Sequence, residues 1–159
     1  MTDVAERRFG VASAEEAAGL NGLQFMQGII DGALPAPPMA KTLGFVIVEV
    51  SEGFAAFEGE TSEALLNPMG TVHGGWVLTL VDSATTCAAL SGLPAGVGAT
   101  TIETKVNFTR PLTKDSGRVR AEARVLGAGR RILTAEARVT DAKGRLVAHG
   151  TSTVMALRD

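Results

Sequence analysis

A chain of 159 residues with a formal net charge of −2, one Trp and no Tyr has the size of one domain with a single substantial core. It lacks the basic surface and the aromatic stacking platforms on which general nucleic-acid binders rely. One cysteine, Cys87, excludes an internal disulfide and suits a reducing compartment.

Residues 1–12 show no periodicity and read as a loose tail. Arg7-Arg8-Phe9 faintly resembles a twin-arginine signal, but Glu15 and Glu16 stand where the apolar run should be, so the expected location is cytoplasmic. Ser13 opens a capping box, S-A-E-E, with Glu16 at the third helical position. Leu20, Leu23, Met26, Ile30 and Leu34 recur at three- and four-residue spacings, which predicts one amphipathic helix reaching about Gly32. Pro35-Ala36-Pro37-Pro38 reads as a stiff extended connector. The organisation expected is a tail, helix and Pro-rich connector over 1–40, then one domain over 41–159.

From Thr42 the pattern becomes that of strands. Leu43 to Val50 and Phe54 to Glu60 flank Ser51-Glu52-Gly53, a hairpin signature. The stretch from Asn67 to Gly92 is different: a turn-forming Asn-Pro pair, then Gly70, His73, Gly74 and Gly75, then a nearly continuous run of apolar and small residues. That is a loop feeding a helix. Trp76, Val77, Leu78, Leu80, Val81, Ala84, Cys87, Ala88, Ala89 and Leu90 cover every face, as in a core helix, and the run is too short and too rich in Asp, Ser and Thr to cross a bilayer. Gly92 suits a C′ glycine, with Pro94 soon after.

Four further strands are predicted. Val119, Ala121, Ala123 and Val125 alternate with Arg118, Arg120, Glu122 and Arg124, and Leu133, Ala135, Ala137 and Val139 repeat the pattern. Thr100 to Thr109 and Arg145 to Leu157 are the other two, with hairpin loops at Gly127-Ala128-Gly129 and Asp141 to Gly144. The fold class is α+β: an antiparallel sheet with one side occupied by a hydrophobic helix.

Within that helix Asp82 is the anomaly, since Asp is a poor mid-helix residue and its burial costs several kcal/mol unless it is paired or shifted. It is either a structural acid bonded to hydroxyls or water, or a functional one. Thr86, one turn on, shares its face and can hold the carboxylate or a water, or simply bond back to a carbonyl. Gly74 and Gly75 leave first-turn amides uncovered by any Cβ, a candidate oxyanion site. His73 is either a loop residue bonded to backbone or a site residue, and Asn67 either a turn former or a site amide. Cys87 reads as a small packing residue. Arg118, Arg120 and Arg124, with Arg130 and Arg131 beyond the turn, form either a solvated charged face or a receiver of phosphates.

The order of elements, together with N-P-x-G-x-x-H-G-G from Asn67 and the L-V-D-S-A that places Asp82 eight residues beyond Gly74, resembles the hot-dog-fold acyl-CoA thioesterases. The likeness is to the phenylacetic-acid-degradation (PaaI-like) group and extends from about Leu34 to Leu157, including N-F-x-R-P at Asn107 to Pro111 and G-R-L-V-A-H-G near the end. It implies a hot-dog fold, an antiparallel sheet wrapped around one long buried helix, here with an extra N-terminal helix. It also implies hydrolysis of an acyl-CoA to a free acid and coenzyme A, with no cofactor and no metal. Asp82 would be base or nucleophile, the amide of Gly74 the oxyanion donor, and Asn67 and His73 would flank the thioester. Thr101 matches a hydroxyl position on the following strand, and Thr86, Gly75 and Arg110 fall on the substrate-binding side. Related enzymes carry Glu where this chain has Asp82, so nucleophile and base both stay open.

Geometry adds a condition. At about 1.5 Å rise per residue, Gly74 and Asp82 lie roughly 12 Å apart along one helix, whereas a donor and a base must each reach one thioester to about 3 Å. If both act, the site combines Gly74 of one subunit with Asp82 of another, so a dimer or dimer of dimers is expected, with no nucleic acid or membrane partner. Two other readings compete: a hot-dog protein that binds acyl-CoA without turning it over, and a hot-dog hydratase, against which Leu65 stands where hydratases place an Asp.

Overall fold

The computed structural model describes residues 7–158. Six strands form one antiparallel sheet in the order β1-β2-β4-β5-β6-β3. They are β1 (Phe45–Ser51), β2 (Phe54–Glu60), β3 (Gly98–Phe108), β4 (Arg118–Ala128), β5 (Ile132–Thr140) and β6 (Leu146–Leu157). Helix α4 (Gly74–Ser91) packs on one face and touches every strand. The sheet can curl closely around it because that face is lined by small side chains: Ala55, Ala121, Ala123, Ala135 and Ala137 are all buried, interleaved with Val119 and Val139. The alternation in β4 and β5 thus does what a period of two dictates, one face to the helix and one to water.

The outward face of β4 answers the arginine question. Arg120 bonds Glu49, Glu58 and Glu122 at once, Arg118 pairs with Glu58, and Arg124 lies over the Phe54 ring. The Arg118 and Arg120 guanidinium groups are thus tied to carboxylates on the side of β4 opposite α4, and Arg124 to an aromatic ring. Arg131 donates to the Arg158 carbonyl.

The N-terminal region departs from expectation. In place of one helix there are two, α1 (Ala14–Ala17) and α2 (Gly22–Ile30). Gly19, at φ +75°, breaks the run, and Asn21 opens a second capping box with Gln24. The break lets α2 dock: a Cβ on Gly22 would lie 1.8 Å from the Leu90 carbonyl oxygen, and its N–H donates to the Leu93 carbonyl. Only glycine permits that approach. The proline segment is extended through Pro37, but Pro38 starts a short helix, α3 (Pro38–Leu43), so β1 begins two residues later than Leu43. Proline at the first helical turn loses no hydrogen bond.

The tail expected to be loose is fixed where it is described. Phe9 bridges Ala36, the Gly10 N–H donates to the Ala36 carbonyl, the Ala36 N–H donates to the Arg8 carbonyl, and the Arg7 side chain donates to the Ile29 carbonyl; residues 1–6 lie outside the described residues. Met26, Ile29, Leu34 and Ala36 join the same core as Trp76 and Leu80. At the far end of α4, Gly92 caps with φ −90°, not in the left-handed conformation of a C′ glycine. The β4 strand runs through Gly127 and Ala128 by means of a bulge, which moves that hairpin turn to 129–131.

The β5–β6 hairpin is held by one acid. Asp141 Oδ1 accepts from the amides of Lys143 and Arg145, both at 3.0 Å, and Oδ2 accepts from Arg145 Nε at 2.8 Å. The Arg145 guanidinium first, then the two backbone amides, hold the Asp141 carboxyl below its ordinary value. A depressed folded pKa gives stability that is complete above the unfolded value of about 3.9 and is lost as pH falls through the lower folded value. Asp141→Asn is therefore expected to lower the urea midpoint at pH 7, with the gap to wild type closing below about pH 4; a gap independent of pH would exclude the charge as the cause.

Candidate active site

The loop before α4 is built by Asn67. Its Oδ1 accepts from the amides of Met69 and Thr71, its Nδ2 donates to Thr71 Oγ1 at 2.9 Å, and its backbone N–H donates to the Thr71 carbonyl. This closes a tight turn that delivers His73 to the N-cap of α4. His73 Nδ1 accepts from the Gly75 N–H at 2.9 Å, which fixes the ring as the tautomer with its proton on Nε2. The Gly75 amide is thereby consumed. The neighbouring Gly74 N–H has no acceptor among the described residues. Of the two glycine amides proposed as an oxyanion site, one is open.

Gly74 also borders a cleft of about 410 Å³ lined by Thr71, Val72, Val77, Phe108, Arg110 and Leu112, among others. The Phe108 ring approaches to within 3.0 Å of where a Gly74 Cβ would stand. Arg110, exposed at the end of β3, is in this cleft; Asp82, two turns along α4, is not.

Asp82 is half-buried. The open stripe of α4 is Gly75, Leu78, Thr79, Asp82, Ser83 and Thr86, spaced as one helical face, while the opposite flank from Trp76 to Ala88 is core. An all-round buried helix was expected; in this chain one stripe stays accessible beside β3. Thr101 Oγ1 donates to Asp82 Oδ1 at 2.7 Å and Thr104 Oγ1 donates to the same oxygen at 3.2 Å. Thr86 Oγ1 lies 2.7 Å from Thr101 Oγ1, so it reaches the carboxylate through Thr101 and not directly. Asp82 Oδ2 takes no bond among the described residues and is not a buried atom. One oxygen is anchored, the other open.

The sequence pattern of the thioesterase superfamily matches residues 69–148. The chain belongs to that superfamily. Among its relatives, the 1,4-dihydroxy-2-naphthoyl-CoA hydrolase of Listeria monocytogenes is 26% identical over 116 residues, 73% of this chain and 93% of the enzyme. A phenylacetic acid degradation-related protein from Ralstonia eutropha superposes with TM-score 0.75 at 30% identity, covering 82% of this chain and 98% of that one. The PaaI protein of the E. coli phenylacetic acid degradation operon does so with TM-score 0.69 at 26% identity, covering 76% and 84%. The hot-dog architecture, a long helix on a six-stranded sheet, is the fold of this thioesterase-superfamily protein.

Two residues at the superfamily protein's acid, Thr104 and Ser152, have no signal in local spacing. Thr104 alternates with Thr101 across a bulge between Thr101 and Glu103, and Ser152 comes from β6. Among the described residues no group of three or more His, Cys, Asp and Glu side chains stands close enough together to hold a metal ion, and no helix is long and apolar enough to cross a membrane.

The N-cap and the cysteine can both be tested. Replacing a capping side chain by Ala costs about 1 kcal/mol, so His73→Ala is expected to lower stability by about that much in urea melts while His73→Asn, a better cap, does not. Burial first, and the Asp82 charge second, push the Cys87 thiol up to about 12. At pH 8 it is expected to resist iodoacetamide in the folded protein and to react once the chain is unfolded, where a free thiol titrates near 8.5; mass spectrometry reads the difference.

Proposed function

We propose that this protein is an acyl-CoA thioesterase whose active sites are shared between subunits, with Asp82 as base or nucleophile and the Gly74 amide of the partner subunit as oxyanion donor. The observation that supports it most is the Asp82 carboxylate, clamped through Oδ1 and free at Oδ2, on a helix whose N-terminal amide is also free. The open oxygen faces solvent, where water or substrate can reach it, while the bonded one holds the carboxylate in place.

As a base, Asp82 Oδ2 takes a proton from water while the water oxygen attacks the thioester carbonyl. The carbonyl oxygen becomes an anion and is received by the Gly74 N–H, reinforced by the α4 dipole. The C–S bond then breaks, and the coenzyme A thiolate takes the proton held by Asp82. As a nucleophile, the same oxygen attacks the carbonyl, and the C–S bond breaks to expel the coenzyme A thiolate and leave a mixed anhydride. Water then hydrolyses that anhydride to the free acid and the Asp82 carboxylate, its second proton going to the thiolate. The separation of roughly 12 Å along α4 requires two chains in either case. Leu78 on the open stripe of α4, with Ile102 and Phe108 on the edge strand β3, the last two more than half exposed, supply apolar side chains for that pairing. Arg110 and Thr71 give the Gly74 cleft polar groups for the rest of the thioester. Aromatic acyl-CoAs are the first substrates to try, because the relatives named for 1,4-dihydroxy-2-naphthoyl-CoA and phenylacetic acid act in aromatic chemistry.

Thiol release from a panel of aromatic and aliphatic acyl-CoAs is expected for wild type, and Asp82→Asn is expected to lose about 10²-fold or more in kcat while folded. Gly74→Pro removes the N–H at the first helical position, where proline is tolerated; His73, at φ −62° and ψ 130°, already has the backbone a following proline needs. Its kcat is expected to fall about 10²-fold, more than that of Gly74→Ala, which adds a Cβ but keeps the amide. Mixing the two inactive variants under exchange should restore about a quarter of wild-type sites, since half the dimers carry one intact site. An active monomer, or no recovery on mixing, would sink the shared site.

A further inference from the structure

Each hydroxyl has one proton to give, and with Thr104 giving its own to the Asp82 carboxylate the remaining bonds around the acid take one direction. Thr104 donates to Asp82 Oδ1, so it can only accept from Ser152 Oγ, 2.9 Å away. Ser152 then spends its proton on Thr104 and accepts from Thr85 Oγ1, whose proton is also within reach of the Val81 and Asp82 carbonyls at 2.9 and 3.1 Å but has its shortest contact, 2.7 Å, to Ser152. The result is a one-way chain: Thr85 to Ser152 to Thr104 to Asp82. The second chain, Thr86 to Thr101 to Asp82, runs the same way and ends on the same oxygen. Both require an acceptor-only carboxylate at their terminus.

We infer that Thr104 and Ser152 are positioning residues for the reaction: with Thr85 they form a buried relay that locks Oδ1 of Asp82 and dedicates Oδ2 to the substrate. The inference rests on the reading of Asp82 as the catalytic acid. Thr85 and Ser152 are almost fully buried, at 0% and 2% exposure, and neither touches the open face of α4. Their contribution to chemistry passes entirely through Thr104. Successive hydrogen bonds of one sense polarise each other, and two convergent donors remove the rotation about the Asp82 side chain that would let the two oxygens exchange. The two chains come from different places: Thr101 and Thr104 from β3, Ser152 from β6, Thr85 and Thr86 from α4 itself. The acid is thus aligned to the sheet and not only to its own helix.

The variants can be chosen to spare the fold. Thr104→Val keeps the shape and removes the hydroxyl, and Thr104→Ser keeps the hydroxyl. Ser152→Ala removes one oxygen and leaves no orphaned donor, because Thr85 Oγ1 also lies 2.9 Å from the Val81 carbonyl and can turn to it. Steady-state thiol release should show Thr104→Val down about tenfold in kcat, the scale of one lost bond to a charged group, with KM within about twofold. Thr104→Ser should return to within about threefold of wild type, and Ser152→Ala should fall about threefold, adding nothing further in the Thr104→Val background because the chain is already cut. Urea melts confirm folding; should Thr104→Val not fold, Ser152→Ala decides. Wild-type kcat in both Thr104→Val and Ser152→Ala, alongside an inactive Asp82→Asn, overturns the relay and leaves the thioesterase reading intact. Additive losses, or no rescue by Thr104→Ser, also overturn it. A wild type that releases no thiol from any thioester, or an Asp82→Asn as active as wild type, removes both.

Discussion

An acid on a core helix constrains everything around it. α4 must bury Trp76, Val77, Leu80, Val81, Ala84 and Ala88 against the sheet, which contributes hydrophobic stabilisation at roughly 25 cal/mol per Å² of apolar surface removed from water. It must also carry Asp82 without burying an unpaired charge. The helical period reconciles the two, because residues 75, 78, 79, 82, 83 and 86 fall on one stripe away from the core. The alanines of β4 and β5 complete the solution by letting the sheet close tightly on the other flank. Larger side chains there would push α4 out and separate Asp82 from Thr101 and Thr104.

The same helix acts as a ruler. Its N-terminus is set by a sequence of local bonds, Asn67 to Thr71, His73 to Gly75 and the Trp76 Nε1–H to the Leu43 carbonyl at 2.8 Å. Its middle is set by hydroxyls from β3 and β6. Both anchor points belong to one rigid element, so their separation cannot adjust. Any chemistry using the two ends together has to be arranged between chains.

What could be read from the sequence follows from which interactions are local. The strands of β4 and β5 are legible because alternation and a buried face are the same fact, and α4 because Gly74-Gly75 and Gly92 bracket a nearly continuous run of apolar and small residues. The single N-terminal helix failed on Gly19: its periodic leucines are compatible with one helix or two, and the second capping box at Asn21 and Gln24 was the local signal that separates them. Pro38 was taken for connector where it is a helix start. At the site, Thr86 was found because it is four residues from Asp82, and Thr101 through the resemblance. Thr104 and Ser152 are 22 and 70 residues beyond Asp82 in the numbering, and no spacing rule reaches them; register does, once β3 and β6 are paired so that Thr104 faces Ser152.

Asn67 and His73 show how a residue can be both turn former and site candidate. Asn67 Nδ2 has two protons and gives one to Thr71, and the imidazole of His73 spends Nδ1 on Gly75 and keeps its Nε2–H. With the Gly74 N–H, the N-terminal end of α4 retains three donors and no acceptor partner for them among the described residues. The Asp82 end retains the one open carboxylate oxygen. Neither set can be satisfied by the other within one chain, since the helix between them is rigid. Under the shared-site reading proposed above, two copies of α4 running antiparallel would bring a donor end to an acceptor end twice, by symmetry. A thioester carbonyl and its attacking water are the kind of pair that fills such a gap, one oxygen gaining negative charge opposite the donors and one oxygen losing a proton opposite the acid.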